Sequence, residues 1–252
     1  MTIERVFRIL SPLALIALWE LAVRVQLLDA RFFPAPSSIT SDFIAFLLSG
    51  ELVTNTLMTL ERVLIGLAIG GIPGVAIGLL VGVNRIARAI IEPIVALLYP
   101  IPKIAVLPLI LLIFGIGESS KYAIVAIGVL FIMLINTAAG VEQIESIYLD
   151  VARSFQIRRR SFYWRVLLPG AMTNVFAGLR LSIGIAIVLA VAAEFTAAKS
   201  GLGFQIWNAW QTLQVERMYV ALVMVSLLGY ALTLSAAGIE SIVVPWRRTA
   251  AR

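Results

Sequence analysis

Long apolar runs separated by short polar breaks dominate the chain. Six runs are each long enough to cross roughly 30 Å of hydrocarbon. They fall at about 9–28, 54–82, 87–114, 120–140, 172–196 and 218–243. The first starts just after a short basic N-terminus and continues past the length of a signal-peptide core with no small-residue cleavage site, so an uncleaved first span is expected. Between the first two runs, Phe32-Phe33-Pro34-Ala35-Pro36 reads as extended chain. Ser37 or Ser38 is then expected to cap a helix through about Leu48, with Ile39, Phe43, Phe46 and Leu47 on one face at an interface.

One long polar interruption divides the second half. Leu149–Pro169, LDVARSFQIRRRSFYWRVLLP, follows Ile147 and Tyr148. Ile147, Val151 and Phe155 recur four apart, with Tyr148 and Ala152 beside them, which predicts a short amphipathic helix. Arg153, Arg158, Arg159, Arg160 and Arg165 flank this apolar ridge. A basic amphipathic helix suits either anionic headgroups or a partner protein, and both readings stand at this point.

Inside the runs, two patterns repeat every four residues. Gly66, Gly70, Gly74, Gly78 and Gly82 form a ridge of small residues, the means by which helices in lipid approach closely. Pro73 is expected to kink this helix. Asn174, Gly178, Ser182, Ala186, Ala190 and Glu194 form a second row, suited to close packing or to a wet path. Tyr99-Pro100-Ile101-Pro102-Lys103 breaks the third run, and irregular backbone at membrane depth must be buried by protein or reached by water. This segment is therefore expected to line a pathway. Arg62, Lys103 and Glu194 are the charged candidates for it. Glu61 and Arg62 also fit an interfacial pair, and Glu194 a structural ion pair.

Composition narrows the chemistry. The 252 residues are 61% hydrophobic and 13% charged, and the mean hydropathy of +1.00 excludes an ordinary soluble domain. There is no Cys and no His, which removes disulfides, His triads and the usual zinc and haem ligands. No stretch matches Gly-x-x-x-x-Gly-Lys-Ser/Thr; GIGESSK at 115–121 does not, so the chain is not expected to hydrolyse ATP itself. The net charge of +6 reads as cytoplasmic arginine, with no nucleic-acid partner expected. With both termini on one side, that side holds twelve cations: Arg5, Arg8, Arg85, Arg88, Arg153, Arg158, Arg159, Arg160, Arg165, Arg247, Arg248 and Arg252. The other holds five: Arg24, Arg31, Lys121, Lys199 and Arg217. The bias predicts cytoplasmic termini and a cytoplasmic 149–169 loop.

The loop also resembles the signature loop of ABC-importer permeases, Glu-Ala-Ala, then Gly three residues later, then Ile-x-Leu-Pro nine residues on. Asp150, Val151, Ala152, Gln156, Val166, Leu168 and Pro169 occupy those positions. Gln156 departs from the motif Gly, so it is expected either to continue the helix or to take a left-handed backbone. PIPKIAVLPLILLIFGIGESSKY and AAEFTAAKSGLGFQIWNAWQTLQVERMY closely resemble the permeases of the nitrate, sulfonate and taurine branch. The resemblance spans about Pro34 to Arg248. It implies an all-α, six-span type I permease fold over 1–252, with a cytoplasmic coupling loop at 141–171.

It further implies a homodimer in the bacterial inner membrane, two P-loop ATPase subunits that bind ATP and Mg, and an extracytoplasmic substrate-binding protein. No cofactor is expected in this chain. Tyr148, Asp150, Val151, Ala152, Arg153, Phe155, Gln156, Ile157, Arg158 and Arg159 become the candidates for coupling to the ATPase. Of these, Tyr148, Ala152, Phe155 and Ile157 are expected to pack in its groove. A stand-alone secondary transporter or channel is the alternative; it would need its own intramembrane ion site, and Glu61 and Glu194 are the candidate acids.

Overall fold

The computed structural model describes residues 3–248; the side chains of residues 3–6, 8, 9, 153, 247 and 248 lie outside the described set. Arg5, Arg8, Arg153, Arg247, Arg248 and Arg252, which entered the charge count, thus have no described side chains. The described residues are helical, with no strand among them. Four helices are long and apolar enough to cross a membrane: α3 (Glu51–Val83), α6 (Glu118–Glu142), the continuous stretch Arg159–Ala197, and α11 (Val215–Val243). A fifth candidate is a pair, α4 (Arg85–Leu98) and the segment Lys103–Phe114, bent by 88° at its break. The expected first run corresponds to α1 (Ile3–Arg24), which is not among these candidates.

The second helix, α2 (Pro36–Leu48), ends where the sequence places it, but its start differs. No side chain caps it at Ala35. Instead, the Glu20 carboxylate of α1 accepts from Ser37 N (3.0 Å) and Ser37 Oγ (2.9 Å). An anion held at a helix N-terminus does the work of a cap. Nearby, the Arg31 guanidinium beside Asp29 holds that exposed carboxyl below its usual range.

The centre of the fold is α3 against α6 against α9 (Leu168–Ala197). Val63, Ile124, Val125, Val129, Met133, Ile183, Ala186 and Ala190 from these three helices are buried together. The glycine ridge of α3 makes the first contact. A Cβ on Gly66 would overlap the Val125 side chain, and one on Gly70 would overlap the Ala126 carbonyl. At Gly74 and Gly78 it would lie 2.8 and 2.7 Å from the carbonyls of Leu130 and Leu134, and at Gly82 2.5 Å from Val141. Pro73 sits inside this helix without ending it. The second row is equally a packing surface: Gly178, Ser182, Ala186, Ala190 and Glu194 are buried, and Gly178 faces Asn136 and Met133 of α6.

Around the core run α5 (Leu107–Phe114), the polar-loop helices α7 (Ser146–Ser154) and α8 (Arg159–Phe162), and α10 (Leu202–Gln211). Helix α8 passes into α9 without a break through a π-helical turn, Tyr163–Leu167, where Leu168 N bonds back to Tyr163 O. The helical stretch therefore begins some thirteen residues before the expected 172. Pro169 explains the wide turn: in α geometry it would offer the Arg165 carbonyl no N–H and would press its ring against it.

Candidate functional site

Three places collect the polar residues singled out above. The first is α7. Its apolar ridge faces outward: Ile147, Tyr148, Val151 and Phe155 are 59%, 60%, 48% and 78% exposed. With Ile144, Ile157, Val166 and Trp246 they border an open groove of about 690 Å³. Ala152 corrects the expectation for it. It is buried within this chain, so its methyl is not available to a partner's groove. Asp150, Gln156, Arg158 and Arg159 are exposed.

The turn after α7 settles the fork at Gln156. The helix stops at Ser154, and Gln156 takes φ +48°, in the left-handed region. Ile157 N reaches back to Ala152 O at 3.3 Å, which closes the turn as glycine-ended helices usually close. A side chain in this conformation costs about 1 kcal/mol relative to glycine. Gln156→Gly is expected to stabilise the turn by that amount. Hydrogen–deuterium exchange over 146–158 should slow about fivefold.

The second place is the break between α4 and α5. After Leu98 the chain passes through Tyr99–Pro102 into a 3-10 turn, Lys103–Val106. Lys103 Nζ donates to the carbonyls of Leu98, Tyr99 and Ile101, each at 2.9 Å. The ammonium also sits 4.7 Å from the ring centre of Phe131 on α6.

The third place brings together Arg62 and Glu194, 132 residues apart in sequence. Both side chains are essentially fully buried, and Arg62 Nη1 donates to Glu194 Oε1 at 2.7 Å. Arg62 also forks onto Glu118 through Nε (2.7 Å) and Nη2 (2.9 Å), and donates to Ser200 O at 2.8 Å. Glu194 accepts in addition from Thr59 Oγ1 (2.9 Å) and from Gly203 N (2.7 Å). Lys121 Nζ joins Glu118 at 2.9 Å. Two acids and two bases thus balance, and α3, α6, α9 and the start of α10 are tied at one end. Glu61 is outside this group and accepts from Tyr122 Oη at 2.9 Å. Thr59, Glu118, Ser200 and Gly203 were not singled out as site residues in the sequence, Lys121 entered only the charge count, and no periodic signal links them. At the opposite end, Arg88 joins Glu142 at 2.6 Å and Arg180 pairs with Glu240.

Residues 74–249 match the family described as binding-protein-dependent transport system inner membrane component. The chain is 34% identical over 235 residues to the putative aliphatic sulfonates transport permease protein SsuC of Escherichia coli K12, covering 93% of this chain and 89% of that one. It is 27% identical to the taurine transport system permease protein TauC of the same organism, over 92% and 86%. It is 32% identical to the nitrate import permease protein NrtB of Synechocystis, over 74% and 68%. Among solved structures, the inward-facing MetNI methionine ABC transporter matches with a TM-score of 0.62 at 21% identity, covering 79% of this chain and 96% of that one, a likeness of fold.

Proposed function

Since the chain belongs to the family of binding-protein-dependent transport system inner membrane components, we propose that it forms the translocation pathway of an ATP-driven importer for a small anionic solute. Sulfonates, taurine and nitrate, named for its relatives, define the class. The chain is a multi-pass inner-membrane permease subunit, not an enzyme. It works with a separate ATPase and a substrate-binding protein. In our reading two copies pair, ATP and Mg sit on two ATPase subunits, and both termini lie in the cytoplasm. α1 completes six spans in each copy.

The observation that carries this reading is the outward-facing ridge of α7. Four large apolar side chains stand exposed along a short helix and the residue after it, flanked by Arg158, Arg159 and Arg160. Such a patch outside the spans suits a partner groove with an acidic rim. Tyr148, Val151, Phe155 and Ile157 would enter that groove, and the arginines, Arg153 included, would meet its edge. Closure of the ATPase pair on ATP would draw the two α7 helices together and switch the pathway from inward-open to outward-open. The broken α4–α5 pair, with Lys103, would border the path, and the Arg62–Glu194 network would frame its outer end. Substrate choice would rest mostly with the binding protein.

Phe155→Asp tests this. An aspartate in place of the most exposed apolar residue of the ridge is expected to weaken ATPase docking by about 2 kcal/mol or more, roughly 30-fold. The variant should still elute as a folded chain, because Phe155 is 78% exposed. Normal co-purification of a P-loop ATPase with the variant would defeat the docking reading and return α7 to the headgroup surface. The secondary-transporter reading has less support: of its two candidate acids, Glu194 already spends its oxygens on Arg62, Thr59 and Gly203, and Glu61 accepts from Tyr122.

A further inference from the structure

We infer that Lys103 is a positioning residue whose ammonium fills a cage of main-chain carbonyls at the α4–α5 break, and that its charge is consumed there instead of meeting the transported anion. Ending a helix at Leu98 orphans its last carbonyls. The next residues repair little of the loss: Ile101 N reaches Leu98 O only at 3.3 Å, and Pro100 and Pro102 have no N–H to give. At membrane depth each such carbonyl costs several kcal/mol if left bare. One ammonium has three N–H donors, and here three carbonyls converge on it at 2.9 Å. A cation at this end also suits the negative pole of α4.

The surroundings match an ammonium in particular. The fourth side of the cage is aromatic: Phe131 lies 4.7 Å and Tyr99 5.7 Å from Nζ. No acid is paired with Lys103 among the described ion pairs; what meets its charge there is backbone dipoles and rings. A guanidinium is planar and does not direct three donors to a convergent tripod. Because Phe131 belongs to α6, the same ammonium ties the break to the core, and the 88° bend is held from inside. The inference rests on the permease reading only for the role of the break at the path; the cage itself does not depend on it.

Two measurements test the cage. In the purified full chain, Lys103→Met keeps the unbranched apolar stem of the side chain and removes its donors. Amide exchange over 98–107 is expected to quicken at least tenfold, with exchange in α9 unchanged. Exchange equal to that of the parent chain would overturn the cage whatever the chain transports.

The second measurement uses the absence of cysteine from the sequence. Lys103→Cys can be alkylated at one place before assembly with the ATPase. 2-Bromoethylamine rebuilds a lysine isostere with sulfur in place of one methylene. (2-Bromoethyl)trimethylammonium rebuilds the same length and charge with no N–H. Binding-protein-stimulated ATP hydrolysis is expected to fall at least tenfold in the cysteine variant. It should return to within twofold with the primary amine and stay low with the trimethylated one, labelling being confirmed by mass. Recovery with both reagents would show that charge alone matters and would sink the proposal. So would recovery with neither, or an unmodified variant as active as the parent.

Discussion

Glu194→Ala is expected to destabilise the chain by about 3–5 kcal/mol, the usual cost of removing one partner from a buried ion pair. The carboxylate is fully buried and takes hydrogen bonds from Arg62, Thr59 and Gly203. Its loss leaves two cations, Arg62 and Lys121, facing one remaining acid, Glu118. It also strands the Gly203 N–H, so the first turn of α10 loses its anchor to α9. In a thermal melt of the detergent-solubilised chain, the midpoint should fall by about 10 °C. The companion variant separates pairing from mere bulk. Arg62→Leu with Glu194→Ala removes both charges, and should be less damaging than the sum of the two single changes. Strict additivity would mean that the pair contributes nothing as a pair.

Gly70→Val is expected to cost at least about 3 kcal/mol, because the added Cβ meets backbone and not a movable side chain. The obstacle is the Ala126 carbonyl of α6, and neither helix can yield without parting the whole seam from Gly66 to Gly82. In lipid no hydrophobic gain restores a separated pair, since lipid tails cover the exposed faces equally well. Gly71 is the control. A Cβ there meets only Val129 and Met133 side chains, at 3.8 and 3.9 Å, so Gly71→Ala should be neutral or slightly stabilising. Expression level and monodispersity in size-exclusion chromatography distinguish the two glycines; equal behaviour would remove the ridge from the packing account.

Most of the spans were legible because long apolar runs in a bilayer have few alternatives; the run at 9–28 falls on α1, which is not among the candidate spans, and 87–114 is broken by the 88° bend. The expected 54–82, 120–140 and 218–243 became Glu51–Val83, Glu118–Glu142 and Val215–Val243. The glycine ridge was legible for the same reason, being a local period of four. The partners of Arg62 were not. They lie 56, 132 and 138 residues away on separate elements, and no periodicity links a charge in one run to a charge in another. Lys103 was visible as a charge at depth, but its partners are carbonyls, which every residue carries and no sequence distinguishes. The α2 cap failed similarly: the serines were in place, yet Glu20 from the preceding helix reached the N-terminus first. At Gln156 the motif position indicated that a sharp turn was needed, and the chain makes it without the glycine.

The unbroken stretch Arg159–Ala197 has a mechanical consequence. Its 39 residues make a rod about 58 Å long, more than the full thickness of a bilayer with its headgroups. The π turn Tyr163–Leu167 lies near its N-terminal end, with the four residues of α8 on the short arm, and would be the natural fulcrum of any swing of the rod. About 45 Å of helix separates that turn from Ala197 on the long arm. A rotation of roughly 10° at the fulcrum then sweeps the far tip by about 8 Å. Glu194 lies near that tip, bound to Arg62, and Arg62 to Glu118, so such a rotation would carry α3 and α6 along as one load.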